Sequence, residues 1–464
     1  MSDDSLQNSN NIDGSISDLS ADQEKKHPIA EAIDCLVSRA EDIKYSARQF
    51  IPLAYKDKLQ QLKQILKAFE SNLPLFEDPD CHKRILAQSA VQTTVFQLER
   101  LARSDVPGVI QSGLFLALFS AFDAFTGDLL HGLYLRKPLL FNSLEKTLTF
   151  SDVLAAKTIE DLKQQVLDDN IEDLRRKSYS EQFACLSQRY KIKLTEFENW
   201  PAFVECSQRR NLITHCDGIV TEQYYKVCRD ADVKESSLAP IGSKVKIGAE
   251  YFYSTCELVI EVGIKLGQTL WRKTLPEEIS EADNHIMSLL YGALENRNWP
   301  RAKMIGEYAF RLPKFFSEQN QKIITVNFAQ ALLRDGEKDR AKSIIDNIDW
   351  SATTDDFKLA RAVLLQDYSD AEIIMMRIGK QGQLTNENSY HTWPLFIEFR
   401  ETENFARAYF NVFGYPFAEK LKEEATEASR KAAAEVALEL PIVDGTQNLL
   451  KETNELFCDP GAHD

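Results

Sequence analysis

A long apolar segment in the first third of the chain limits the folds that this sequence can adopt. Residues 111–135 carry large apolar side chains at helical spacing on most sides of a helix. A helix that is apolar nearly all round is usually buried in the middle of a bundle. Ser120, Asp123 and Asp128 interrupt the pattern, and a buried polar residue needs a partner. Asp123 therefore predicts a positively charged side chain nearby, with a solvated edge or a local hydrogen bond as the alternative.

Helical patterns also dominate the rest of the chain, and strand-like segments are few. We therefore predict an all-α fold, with a helical bundle followed by a short array of helical repeats. Composition and pattern divide the chain into five parts. They are a disordered leader (1–26), an N-terminal helical segment (27–80), a helical domain (81–275), a helical-repeat domain (276–415), and a C-terminal helix with its tail (416–464).

Within the helical domain, the pattern predicts helices over 85–101, 151–176, 180–190 and 249–271, and a loop over 229–248. A further helix is expected to begin at Trp200, because Pro201 suits the first turn of a helix. Gly218 suits its end.

The sequence pattern changes after Pro276, where it predicts short helices that alternate with tight turns. Three segments each have a leucine, a polar turn and then an alanine, and their turns lie at 296–299, 334–337 and 366–369. Their spacing averages near the ~34 residues of tetratricopeptide-type repeats, which this part weakly resembles. We expect three stacked helix pairs, capped by 393–413 and followed by a helix over 420–440.

The composition excludes several classes of function. A net charge of −16 argues against a protein that coats duplex DNA or an anionic membrane. The eight cysteines are scattered without a C-x-x-C pair, and no uninterrupted apolar run reaches the ~18 residues of a membrane span. Phosphate-loop, dinucleotide, zinc-protease and nucleophile-elbow motifs do not occur. We expect a soluble, cytoplasmic protein without membrane contact, metal or cofactor.

The segment 209–218 concentrates residues with useful chemistry. Arg209 and Arg210 precede Asn211, and His215 follows within the same helix. Arginine grips phosphate with a planar fork of donors, and histidine can take or give a proton near neutral pH. With ~3.6 residues per turn, Arg210 and His215 point about 140° apart, whereas Asn211 and His215 share a face. One helix therefore does not build a compact site from these residues.

Arg210, Asn211 and His215 together resemble the motif of the HEPN superfamily, in which four to six residues separate an arginine from a histidine. Arg209 gives an alternative frame. The wider setting is also similar to HEPN nucleases of prokaryotic defence and toxin systems. An apolar early helix carries Ser120 and Asp123, and Asp-Gly-Ile-Val (217–220) follows the motif. The resemblance covers about residues 85–273, and the leader, the first helices and the repeats lie outside it.

The resemblance implies a helical bundle that dimerises, joins two motifs across a two-fold axis and cleaves RNA without a metal. His215 would act as general base or acid, Arg210 would stabilise the transition state, and Asn211 would orient the phosphate or the imidazole. Asp123 completes the predicted site. The repeats could sense a protein trigger that releases the nuclease. The alternative is an inactive HEPN-like scaffold that binds protein partners through its repeats.

Overall fold

The computed structural model describes residues 26–144 and 146–439, with only the backbone described for 433–439, and these residues are mostly α-helical. The β pairing within this part of the chain consists of two isolated bridges, Ile219 with Lys244 and Gln381 with Asn386. The predicted all-α class is therefore confirmed. The predicted disordered leader spans 1–26, of which residues 1–25 lie outside the described residues. The end of the predicted tail, 440–464, also lies outside them.

The described residues form two compact units, and the boundary between them lies after residue 282. The α-helices of the first unit are α1 (Pro28–Asn72), α2 (Cys81–Arg103), α3 (Val106–Arg136), α4 (Phe150–Ala155), α5 (Ile159–Arg175), α6 (Tyr179–Tyr190), α7 (Trp200–His215), α8 (Glu222–Asp230) and α9 (Ala249–Thr274). Short 3-10 turns lie at Leu73–Glu77, Pro138–Ser143, Glu235–Ser237 and Pro276–Glu278.

Helix α3 is the central helix of the first unit, as its apolar pattern predicted. It packs on α1, α5, α7 and α9, and it buries Phe115, Phe119, Phe122 and Phe125. The first half of α1 also packs on α9, where a Cβ on Gly263 would lie 2.2 Å from a methyl carbon of Leu36. The small residue allows the two helices to approach closely. The segment 27–80 is thus part of the same unit as 81–275.

The prediction of one helix over 151–176 is wrong. The structure has two helices here, α4 and α5, separated by three residues that end with Thr158. Thr158 starts the second helix because its hydroxyl accepts from the N–H of Asp161, while the Asp161 carboxylate accepts from the N–H of Thr158. This reciprocal cap stabilises a new helix start inside a continuous helical pattern.

The following helices are α10 (Ile279–Glu295), α11 (Trp299–Phe310), α12 (Glu318–Arg334), α13 (Lys338–Asp346), α14 (Asp355–Leu364), α15 (Tyr368–Ile378), α16 (Glu387–Thr392), α17 (Glu403–Phe413) and α18 (Phe417–Glu439). The three predicted turns separate α10 from α11, α12 from α13 and α14 from α15, so the alternation of helices and turns is confirmed. Whether these pairs are tetratricopeptide-type repeats stays a prediction.

The predicted cap over 393–413 is an α-helix only in α17. Before it lie two 3-10 turns, Pro394–Phe396 and Phe399–Glu401. Trp393 precedes a proline and has an extended ψ of 120°, as the steric clash with a proline ring favours. Pro394 therefore acts only at the start of this segment, and α17 begins after Thr402, whose hydroxyl accepts a hydrogen bond from the N–H of Phe405.

One described stretch, Cys81–Arg136, contains a window that is long and apolar enough to cross a membrane by length and composition alone. This differs from the expectation that no such segment exists. The core helix of a soluble bundle meets the same criterion, and α3 within this stretch packs on four other helices. The composition of α3 therefore does not by itself assign it to a membrane.

Candidate functional site

Helix α7 presents the Arg/His stretch and ends at its histidine. Asp217 and Gly218 have positive φ values of 49° and 77°, a conformation that glycine adopts without steric cost. The N–H of Gly218 donates to the Leu212 carbonyl over 2.9 Å, which satisfies an otherwise unpaired group of the last turn. Val245 then donates to the Gly218 carbonyl over 2.8 Å. The segment after the motif is therefore tied to both α7 and the extended residues near Val245.

Asp123 of α3 lies between Arg210 and a buried tyrosine. A terminal nitrogen of Arg210 is 3.7 Å from the Asp123 carboxylate. Tyr179 of α6 donates its hydroxyl to the same carboxylate over 2.7 Å. Burial raises the pKa of Asp123, while the Tyr179 hydrogen bond and the charges of Arg210 and Arg175 oppose this rise. The sequence predicted a positive partner for Asp123, and the structure places Arg210 there.

Arg175 is a second guanidinium group beside Asp123. Its Nε donates to the Asp123 carbonyl over 3.0 Å, and its side chain is exposed. The guanidinium lies where a side chain at position 127 would stand, because a Cβ on Gly127 would be 2.0 Å from its Nη2. The glycine thus makes room for Arg175 along α3. Two arginines from different helices consequently lie beside Asp123, Arg210 at its carboxylate and Arg175 at its backbone carbonyl.

Arg209 lies in a different environment although it is adjacent to Arg210. Its guanidinium donates twice to Glu205, over 2.9 and 2.7 Å, and also to the Lys246 carbonyl. Its charge lies 4.0 Å from the centre of the Tyr251 ring. Glu205 additionally accepts hydroxyl hydrogen bonds from Tyr224 and Tyr251. This network joins α7 to α8 and α9, and it occupies most donors of Arg209.

The remaining predicted site residues separate into two groups. Asn211 accepts a hydrogen bond from Arg210 over 3.1 Å, so it belongs to the Arg210–Asp123 cluster. His215 is exposed at the last position of α7, and no other described residue makes a hydrogen bond or ion pair with its side chain. Ser120 is exposed and donates to the Leu116 carbonyl of the same helix over 3.2 Å, so it does not join the cluster.

Sequence reasoning missed three residues of this region, namely Tyr179, Arg175 and Glu205. Arg175 begins a basic run, Arg-Arg-Lys, just before α6, which could have indicated a positive surface near an anion site. Glu205 lies four residues before Arg209 on the same helix, the spacing of a helical ion pair. Tyr179 has no comparable local signal. Within 26–144 and 146–439, no three His, Cys, Asp or Glu side chains form a group that could hold a metal ion.

Comparison with known proteins found no matching protein-family model, no matching curated protein and no matching solved structure.

Proposed function

We propose that this protein is a metal-independent endoribonuclease of the HEPN type, acting in the cytoplasm as a toxin or an antiviral-defence effector. The observation that carries the proposal is the contrast within α7. Arg209 is committed to Glu205, whereas Arg210 is held by Asp123 at a longer distance of 3.7 Å and keeps 28% of its side chain exposed. An arginine that is oriented but still accessible can receive a phosphate.

The proposed reaction is an internal transfer at phosphorus. The ribose 2′-oxygen attacks the phosphorus atom while the imidazole of His215 takes the hydroxyl proton. The bond from phosphorus to the 5′-oxygen breaks, and the leaving oxygen takes a proton from water. The imidazolium of His215 returns its own proton to the solvent before the next cycle. Arg210 stabilises the negative charge that develops on the phosphoryl oxygens. The products are a 2′,3′-cyclic phosphate and a 5′-hydroxyl end, and DNA is resistant because it lacks the attacking hydroxyl.

The proposed site needs two copies of the chain. Arg210 and His215 point about 140° apart on one helix, and no hydrogen bond or ion pair links His215 to Arg210, Asn211 or Asp123 within the described part of one chain. A two-fold axis near α7 would place the same surface of a partner opposite each copy. His215 of one copy then faces Arg210 of the other. Mixing inactive Arg210→Ala and His215→Ala proteins is expected to restore cleavage, because a mixed dimer contains one intact Arg/His combination.

The decisive experiment incubates the full-length protein with end-labelled structured RNA in the presence of EDTA. We expect cleavage with cyclic phosphate ends by the wild type and no cleavage by His215→Ala. His82→Ala is the matched control, since His82 is also an exposed helical histidine of the first unit. The same RNA with 2′-deoxy sugars should stay intact. Equal cleavage by wild type and His215→Ala would overturn the assignment.

The second candidate is a scaffold without catalytic activity. The paired helices of the second unit favour it, since stacked helix pairs offer extended surfaces to protein partners. Overexpression distinguishes the two functions. A nuclease should slow growth, with relief by Arg210→Ala or His215→Ala, whereas a scaffold would be indifferent to both substitutions. Sequencing of RNA ends after brief induction would then identify the RNA that is cut.

A further inference from the structure

The second half of α1 and the whole of α2 form a helical arm, residues 48–103, that buries few of its own side chains. Between Arg48 and Arg103, all of which the structure describes, only Ala87 and Thr94 are buried. Helix α2 packs mainly on α1 and on the 3-10 turn that joins the two helices. Helices in proteins are stabilised largely by the packing of an apolar face. The arm therefore lacks part of the packing that its two helices need.

The large apolar side chains of α1 within the arm follow the spacing of a coiled coil. They are separated alternately by four and three positions and extend over about three heptads. We call these residues the seam, and they are Tyr55, Leu59, Leu62, Leu66, Phe69 and Leu73. Leu62 and Phe69 are half-buried, whereas the other four are between 40% and 58% exposed. Helix α2 thus covers only part of a surface whose spacing suits insertion between the side chains of another helix.

A two-fold axis would give every residue of the seam an apolar neighbour. Such an axis places identical surfaces opposite each other, so that two copies of α1 run antiparallel when the axis crosses the helix. With the axis at residue 64, the pairs are Tyr55 with the partner's Leu73, Leu59 with the partner's Phe69, and Leu62 with the partner's Leu66. The seam is therefore complementary to its own copy in one antiparallel register.

The charges beside the seam favour the same arrangement. Lys56 and Glu70 are exposed, and neither forms an ion pair with another described residue. With the axis at residue 64, each Lys56 lies near the partner's Glu70, which gives two pairs of opposite charge. Lys63 meets its own copy at the axis, a single repulsive contact. A parallel arrangement would instead bring each Lys58 near the partner's Lys63, so that like charges repel on both sides of the seam.

We propose that the arm binds the arm of a second copy of this chain, with α1 antiparallel to its copy, so that two hairpins form a four-helix bundle. The seam forms the apolar contact between the copies, and the two pairs of Lys56 with Glu70 fix its direction and register. The arm contains no residue of the Arg210–Asp123 cluster, so this self-association does not depend on RNA cleavage.

The test cross-links purified full-length variants with a short bismaleimide and separates the products on a denaturing gel. Lys63→Cys places a thiol at the axis in both copies, so we expect a covalent dimer. Gln64→Cys is the matched control, because this adjacent exposed residue lies on the side of α1 opposite the seam. It should give no more dimer than the wild type, which carries the same native cysteines, including the exposed Cys35 and Cys81.

Further substitutions in the Lys63→Cys protein test the seam itself. Leu59→Glu places a charge among apolar side chains and should reduce the yield of dimer at least about tenfold. Leu53→Glu is its control and should leave the yield unchanged, because Leu53 is similarly exposed, at 56%, but lies on the other side of α1. Circular dichroism checks that each variant keeps its helix content.

A charge exchange tests the antiparallel register. Lys56→Glu in the Lys63→Cys protein turns two attractive pairs into repulsive ones, so the protein concentration that gives half-maximal cross-linking should rise about tenfold. Addition of Glu70→Lys should restore the original concentration, because the opposite charges then face each other again.

Three results would overturn the proposal. They are the absence of a covalent dimer from Lys63→Cys, which would leave the seam to a different protein, equal dimer formation by Gln64→Cys, and no recovery when Lys56→Glu and Glu70→Lys are combined. Arg210→Ala in the Lys63→Cys protein should cross-link as well as Lys63→Cys alone, so failure of the nuclease assignment remains distinguishable.

Discussion

The two faces of α7 hold adjacent arginines in opposite ways. On one face, the side chains of Arg209 and Glu205 are each only 11% exposed and pair at 2.7 Å. Two tyrosine hydroxyls also donate hydrogen bonds to the Glu205 carboxylate. On the other face, Arg210 and Asp123 are 28% and 26% exposed and stand 3.7 Å apart. A saturated buried network fixes structure, whereas a loose and accessible pair can exchange its partner for a ligand. The comparison therefore assigns a stabilising role to the Arg209 face and favours the Arg210 face for the proposed chemistry.

The largest effect on stability should follow from removing the buried pairing of Arg209 with Glu205. Glu205→Ala removes the partner of Arg209 and the acceptor of two tyrosine hydroxyls, so we expect a loss of about 3–5 kcal/mol in the free energy of unfolding. Urea denaturation monitored by circular dichroism measures it. Glu172→Ala is the control, because Glu172 pairs with Arg176 at the surface and both side chains are mostly exposed. A loss below about 1 kcal/mol for Glu205→Ala would show that the network is not a stabilising unit.

The other face should respond in activity and not in stability. Arg210→Ala is expected to reduce the rate of RNA cleavage by about 10²–10³-fold, the usual effect of removing one donor to a transition-state oxygen. Its free energy of unfolding should change by about 1 kcal/mol or less, because the pair with Asp123 is partly solvated. Arg209→Lys tests the reverse assignment. It keeps the positive charge but loses the forked pairing with Glu205, so it should lower stability with little direct effect on the chemical step.

Local sequence patterns predicted more of the fold than of the candidate site. The start of α7 at Trp200 and the burial of α3 follow from residues close together in the sequence. The contact between Tyr179 and Asp123 joins residues 56 positions apart, and periodicity holds no information about such a pairing. The spacing of Glu205 and Arg209 could have indicated an ion pair. Its burial could not be predicted, because it depends on tyrosines supplied by α8 and α9.

A smaller effect should follow from Tyr179→Phe. Tyr179 is buried against Phe122 and Phe203, so phenylalanine keeps the ring packing and removes only the hydroxyl that donates to Asp123. We expect a loss of about 1–2 kcal/mol in the free energy of unfolding. Tyr45→Phe is the matched control, since Tyr45 is 63% exposed. If Tyr179→Phe also reduces cleavage while Tyr45→Phe does not, the hydroxyl helps to hold Asp123 in the position that orients Arg210.

The smallest effect is a pH dependence of stability that arises from Asp123, on the Arg210 face of α7. Burial raises the pKa of Asp123, against the opposing Tyr179 hydrogen bond and Arg210 charge. Between its unfolded value of about 3.9 and the raised folded value, the native state binds more protons than the unfolded state. The contribution of Asp123 to stability is therefore fully present below this window and is lost as pH rises through it.

Asp123→Asn removes this dependence, so its stability relative to the wild type should increase as pH rises through the window, as urea denaturation at a series of pH values would measure. Asp128→Asn, at an exposed position of the same helix, is the control. In the Tyr179→Phe variant, the pKa of Asp123 should rise further, because the hydroxyl that lowers it is gone. The pH range over which stability falls should therefore extend to higher pH. A constant difference between Asp123→Asn and the wild type across the acidic range would mean that Asp123 is as well solvated as a surface carboxylate. The contrast between the two faces of α7 would then rest on Arg209 and Glu205 alone.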